Sequence, residues 1–265
     1  MIDSHFYPSG WGVKPILFNI AGFEIPSYSA FVLLGLIVGV LVFYIDAKRQ
    51  KVNNENTFFI VAAAFTFGAL GAKLPIWIAN YKLILVEPTN LSALLSGRTI
   101  VGGLIGGTLG VILTKRVLKI KDKRGNQFAP AAAIGIAIGR VGCFLRGCCY
   151  GIPTYASWGV NFGDGIPRHP TQLYEAVFDL GLFIYLIYLR EKITEPGKLF
   201  RIFLNWYFVF RFFIEFIRIE KVVFFGLTGF QLVSLMVLVY LNRRLIFNGI
   251  LDILISNKKI KARNT

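Results

Sequence analysis

Charge is scarce in this chain. Asp, Glu, Lys and Arg make up 16% of its 265 residues, where a soluble domain carries about a quarter. Acidic residues are the rarer sign, 14 against 29 basic ones, and histidine occurs only twice. An ordinary water-soluble domain is therefore excluded. Cysteine is also sparse, with three residues in all. Their odd number excludes a fully paired set of intrachain disulfides. Cys143, Cys148 and Cys149 lack the usual Cys-x2-Cys pair, and no histidine lies near them in sequence. They read as small apolar side chains rather than as metal ligands, and no metal is expected. Residues 1–22 contain Asp3, His5 and Pro8 and lack a basic stretch before an apolar core, so no cleavable signal is expected.

What the chain has instead is hydrophobicity, at 55% of residues. Several runs reach the roughly 20 apolar residues that cross a bilayer. The reading is an all-α polytopic membrane protein with seven transmembrane helices, near 26–46, 57–80, 98–118, 128–146, 171–190, 199–218 and 227–247. Residues 26–247 form one core, preceded by an external interfacial segment, 1–25, and followed by a basic tail, 248–265. Lys and Arg gather after the first, third and fifth spans and in the tail, as at Lys48, Arg116, Lys192 and Lys258. The positive-inside rule then puts the N-terminus outside and the C-terminus in the cytoplasm. Basic residues lying between apolar runs point to a membrane surface and not to nucleic acid.

The most informative stretch is Gly139-Arg-Val-Gly-Cys-Phe-Leu-Arg-Gly-Cys-Cys-Tyr-Gly151. It places Arg140 inside or at the rim of a hydrophobic segment, where a cation is costly unless paired and so is a functional candidate. In the third span Gly102, Gly106 and Gly110 recur every four residues, as do Gly103 and Gly107. These stripes suit close backbone packing of another helix. Tyr28 opens the first span, where it serves an aromatic belt or a ligand equally well. A long external loop, 147–170, carries Trp158, Asp164, Arg168 and His169. Loops of that length are often functional, and histidine is a proton carrier near neutral pH. In the sixth span Tyr207, Arg211, Glu215 and Arg218 are spaced by 4, 4 and 3 residues, which puts them on one helix face. Arg140, Arg146, Arg168, Arg211 and Arg218 all reach the outer half of the membrane. Guanidinium forks there suit phosphate oxygens, and the phosphate at that depth is a phospholipid headgroup. No internal repeat of the kind that frames many transporter sites is evident.

The Gly139–Gly151 stretch, Val-Gly-Gly-Leu-Ile-Gly-Gly at 101–107, Arg-His-Pro-Thr-Gln-Leu-Tyr-Glu at 168–175 and Phe-Arg-Phe-Phe-Ile-Glu-Phe-Ile-Arg at 210–218 together resemble the prolipoprotein diacylglyceryl transferases. The resemblance covers roughly residues 26–245. It implies a multi-pass enzyme of the bacterial cytoplasmic (inner) membrane in lipoprotein biosynthesis. Such an enzyme moves a diacylglyceryl group from phosphatidylglycerol to the lipobox cysteine of a prolipoprotein and releases glycerol 1-phosphate, with no cofactor. By the same resemblance Arg140 binds phosphatidylglycerol, and Arg211 is the arginine needed for activity, with Glu215 its acidic partner. Tyr207, Tyr28, Gly102, Gly103, Gly151 and Arg168 belong to the substrate site. Three positions depart from the family. Val101 stands where many members have a histidine proposed as base, Cys143 replaces an Asn, and Cys148 replaces a Glu.

These departures leave the proton acceptor open between His169 and Glu215. They also leave room for a related membrane enzyme with another acceptor, or for a phospholipid or anion carrier using the same arginines.

Overall fold

The computed structural model describes residues 13–20, 22–51, 55–86, 97–121 and 124–243. Helices dominate: α1 (Ser27–Arg49), α2 (Glu55–Ala79), the short α3 (Tyr81–Val86), α4 (Ile100–Val117), α5 (Gly125–Arg146), α6 (Thr171–Leu189), α7 (Lys198–Ile214) and α8 (Gly229–Arg243). Among the described residues α1, α2, α4, α5 and α6 are long and apolar enough to cross a membrane. Their outward side chains, such as Leu33, Phe58 and Ile184, are large, apolar and exposed. That pattern fits hydrocarbon rather than water as the surrounding medium. The chain is a polytopic membrane protein. The first twelve residues of the expected interfacial segment, the end of the last expected span (244–247) and the basic tail lie outside the described residues.

The all-α expectation misses three short antiparallel hairpins: β1 (Ile16–Ile20) with β2 (Phe23–Pro26), β3 (Val160–Asn161) with β4 (Pro167–Arg168), and β5 (Val222–Phe224) with β6 (Leu227–Thr228). Strands of two to five residues are too short for alternation to declare itself in sequence. All three lie at the helix ends that carry Tyr28, Arg146 and Arg218. The sixth expected span also differs. Its helix stops at Ile214, a 3₁₀ turn covers Glu215–Ile217, and Arg218 is already extended, at φ −93° and ψ 156°.

Glycine decides how the helices meet. A Cβ built on Gly106 would lie 2.7 Å from Gly71 Cα, and one on Gly71 would lie 2.5 Å from the Gly102 carbonyl oxygen. Thus α2 and α4 touch backbone to backbone along the stripe that the sequence shows. A second seam joins α1 to α5, where a Cβ on Gly35 would come within 2.7 Å of the Gly135 carbonyl oxygen. Near its end, a Cβ on Gly142 would strike Phe31 Cβ at 2.6 Å. Helix α5 packs in turn on α6 and α7. The main core gathers there, with Leu186, Leu199, Phe203, Tyr207 and Phe208 essentially buried. Thr99 begins α4, accepting the Gly102 N–H at 3.2 Å while its hydroxyl donates to the Ala72 carbonyl at 3.3 Å. Cap and seam therefore fix α4 against α2 in one register.

The α2–α4 seam has no room for a side chain. Gly106→Val should cost about 1–3 kcal/mol through overpacking, read as a fall in the thermal midpoint of the protein in detergent. Gly181→Ala, where a Cβ meets nothing within 4 Å, should leave that midpoint where it is.

Candidate active site

Three guanidinium groups converge where α5, α6 and α7 approach one another. Arg140, on the inner face of α5, is 6% exposed, Arg211 on α7 is 3% exposed and Arg218 is 9% exposed. Isolated cations at such burial would be untenable. Each is tied to Glu175, one turn into α6 and 1% exposed. Arg140 pairs with its Oε2, while Arg211 Nη1 and Arg218 Nη1 lie 3.4 and 3.1 Å from its Oε1. Glu215 supplies a second carboxylate, 2.8 Å from Arg211 Nη2 and 3.5 Å from Arg218 Nε. Thr228, at the start of α8, donates its hydroxyl to Glu215 Oε1 at 3.0 Å. The spacing 211, 215, 218 thus does bring its charges together, although the helix has tightened to 3₁₀ before Arg218.

These arginines form one wall of a cavity of about 1670 Å³, bounded by α1, α2, α4, α5 and α7. Tyr28, Gly103, Arg140, Arg168, Tyr207 and Arg211 line it, as do Arg146, Arg218 and all three cysteines. Glu175, Glu215, His169, Gly102 and Gly151 are not among its lining residues. The two carboxylates stand behind the arginines, so the cavity meets guanidinium edges. Glu220, at 3.3 Å from Arg218, is the one carboxylate in the lining among the described residues. Two buried polar atoms at this wall, Tyr207 Oη and Arg140 Nε, have no hydrogen-bond partner among the described residues. Buried polar atoms without a partner are costly, so both sit behind the cavity surface as unsatisfied groups of the wall.

The remaining candidates divide between the mouth and the frame. At the mouth, the Arg146 guanidinium lies over the Tyr28 ring, 5.1 Å from its centroid. Arg168 stacks likewise on Tyr150 at 5.3 Å and reaches Asp164 at 2.6 Å. Burial pushes the Asp164 carboxyl up, but hydrogen bonds from Arg168 and the Ile166 N–H outweigh it and hold it below the usual carboxylate range. His169 faces the loop: its Nδ1 is 3.1 Å from the Tyr174 hydroxyl, which accepts the Trp158 indole N–H at 2.7 Å. Gly102 belongs to the α2–α4 seam. Gly151 bridges Arg218 across an antiparallel pair, and a Cβ there would run into the Ile217 carbonyl oxygen. It is a spacer that lets the loop after α5 lie against the extended segment at Arg218.

Val101 is 5% exposed and packs into the main core beside α6 and α7. Among the described residues no group of three or more His, Cys, Asp or Glu is disposed to hold a metal.

Glu175 is the principal residue that sequence reasoning passes over. Its signal was available: Glu175 and Asp179 sit four apart in an otherwise uncharged span, hence on one face, and both are 1% exposed. Glu175→Gln should cost roughly 3–5 kcal/mol, because guanidiniums lose a buried partner. Glu220→Gln, at the rim, should cost about 0–1 kcal/mol. Thermal unfolding of the two variants in one detergent compares them.

Known proteins similar to this chain give its family. The sequence profile described as "Prolipoprotein diacylglyceryl transferase" matches residues 15–245. The phosphatidylglycerol--prolipoprotein diacylglyceryl transferase of Clostridium tetani (strain Massachusetts / E88) is 34% identical over 217 residues, covering 78% of this chain and 86% of that protein. A second relative, phosphatidylglycerol--prolipoprotein diacylglyceryl transferase 2 of Clostridium perfringens (strain 13 / Type A), is 31% identical and covers 78% and 84%. The Clostridioides difficile (strain 630) transferase, also 31% identical, covers 83% and 89%. With a carboxylate-backed arginine wall facing a large membrane cavity, and with matches of this extent, the chain belongs to the prolipoprotein diacylglyceryl transferase family.

Proposed function

We propose that this protein transfers the diacylglyceryl group of phosphatidylglycerol to the lipobox cysteine thiol of a prolipoprotein, releasing glycerol 1-phosphate. The observation that carries the reading is the arginine wall. Arg140 and Arg211 present guanidinium groups to a cavity large enough for a lipid, with the unpartnered Tyr207 hydroxyl beside them. A headgroup phosphate bridges the two guanidiniums, and the acyl chains run between the α1–α5 and α2–α4 pairs along apolar side chains such as Val32, Leu36 and Phe65.

The chemistry is displacement at carbon. The acceptor thiol, with an ordinary pKa of about 8.5, loses its proton, and the sulfur attacks the glyceryl carbon that bears the phosphate ester. The carbon–oxygen bond breaks and its electron pair leaves on phosphate. Arg140 and Arg211 stabilise that charge, and the buried carboxylates of Glu175 and Glu215 hold their forks in place. Arg168, Arg146 and Tyr28 frame the mouth where headgroup and peptide approach. Gly102, Gly103 and Gly151 act through close packing around that site.

In this reading seven helices cross the bacterial cytoplasmic membrane, with α7 and α8 as the sixth and seventh. The N-terminus is outside and the C-terminus inside. The arginines then lie in the outer half, where a secreted precursor arrives. The basic excess serves the inner membrane surface and not nucleic acid.

Purified protein, phosphatidylglycerol and a lipobox peptide should give a thioether-linked peptide and released glycerol phosphate. Arg140→Ala should lower the rate by at least about 10²–10³, the usual loss when one anion-stabilising donor is removed, while the protein still inserts and purifies. Wild-type labelling by that variant would refute the assignment. Lipid flux across vesicles with no covalent product would point to a carrier instead.

A further inference from the structure

The proposed displacement needs a group that takes the thiol proton, and the obvious ones are engaged elsewhere. Val101 is an aliphatic core residue. His169 does not line the cavity, and its Nδ1 is bound to Tyr174. Glu175 and Glu215 are committed to arginines and also stand outside the lining. The cavity does hold a cluster of three free thiols against the arginine wall: Cys143, Cys148 and Cys149.

The backbone presents these sulfurs in a fixed way. Helix α5 ends in a Schellman turn, with Gly147 at φ 75°, the Gly147 N–H on the Phe144 carbonyl at 2.9 Å and the Cys148 N–H on the Cys143 carbonyl at 3.2 Å. The chain then doubles back. Cys149 adopts φ 64°, a left-handed conformation that a side-chain-bearing residue keeps only when its surroundings hold it there. Those surroundings are visible. The Cys149 carbonyl accepts the Thr171 hydroxyl at 2.8 Å and Arg218 Nη1 at 3.1 Å, and the Cys148 carbonyl accepts the Gln172 amide. Cys148 is buried, and its thiol also faces the Cys143 carbonyl at 3.6 Å, whereas Cys149 is partly exposed.

We infer that Cys149 is the proton acceptor of the transfer reaction, which rests on the transferase reading above. Its thiolate takes the proton from the precursor cysteine, and the new sulfur anion forms the carbon–sulfur bond. The carbon–oxygen pair departs on phosphate, and the Cys149 thiol then returns its proton to that phosphate. Sulfur, proton and electron pair balance without an oxidant or a metal. Cys143 above all holds Cys149 well below the ordinary thiol range against the opposing effect of burial, helped by Arg218 and Arg140. The charged and titratable groups around it are Arg140 and Cys143 on α5, Cys148, Tyr28 on α1 and Arg218 after α7. Thr171 and Gln172 of α6 complete the surround.

The test uses the full chain in lipid nanodiscs with phosphatidylglycerol, and two lipobox peptides, one with cysteine and one with selenocysteine at the acceptor position. Cys149→Ala and Cys149→Ser should lose about 10²–10⁴-fold in rate with the cysteine peptide at neutral pH, the usual contribution of a positioned base. The loss should shrink with the selenocysteine peptide, which is already ionised, and as pH rises through the cysteine peptide's own ionisation. Phosphatidylglycerol binding by the variants should stay unchanged. Wild-type rates in both variants, an equal loss with both peptides, or a diacylglyceryl adduct on Cys149 itself would each overturn the inference. If wild type makes product and the variants match it, only the role of Cys149 falls. If wild type makes none with either peptide, the transferase reading falls with it.

Discussion

A buried carboxylate shared by three guanidinium groups governs this structure. Glu175 reaches Arg140 on α5, Arg211 on α7 and Arg218 beyond it, so three elements are tied through one side chain on a fourth. In a low-dielectric interior none of these cations could stand alone. Under the proposed function the same arrangement creates a competition: a headgroup phosphate would draw on guanidiniums that already have a partner. The net attraction would then be a difference between two strong interactions, which would keep a lipid anion exchangeable instead of trapped.

Around that centre, glycine does what bulky side chains do in soluble cores. Gly71, Gly102 and Gly106 close one seam, and Gly35, Gly135 and Gly142 the other. Within a membrane there is little hydrophobic gain from joining two helices, so close backbone approach and good packing carry the association. Two tightly joined pairs leave a space between them, and that space is the cavity.

Much of this was legible in the sequence, for identifiable reasons. Helix positions follow from long apolar runs, and α1, α2, α4, α5 and α6 fall within a few residues of expectation. The Gly102–Gly110 stripe announces a packed face because period four is a helical signature. Arg140, Arg211, Glu215 and Arg218 stand out because charge in an apolar span is rare. What sequence could not give is partnership across elements. Glu175 pairs with residues 36 and 43 positions away in sequence, and periodicity is silent at that range. His169 drew notice by residue type alone, and its hydrogen bond to Tyr174 depends on how the external loop folds. The hairpins were hidden by their brevity.

The turn after α5 has a mechanical meaning. Two consecutive carbonyls, at Cys148 and Cys149, are gripped by side chains from the start of α6 and by Arg218, just past α7. That dipeptide is therefore a gauge of the distance between helix ends. A bound molecule that forces those ends apart would loosen the grip and swing the sulfurs away, so under the inferred role of Cys149 the fit of the lipid and readiness for proton transfer would be coupled through the same few atoms.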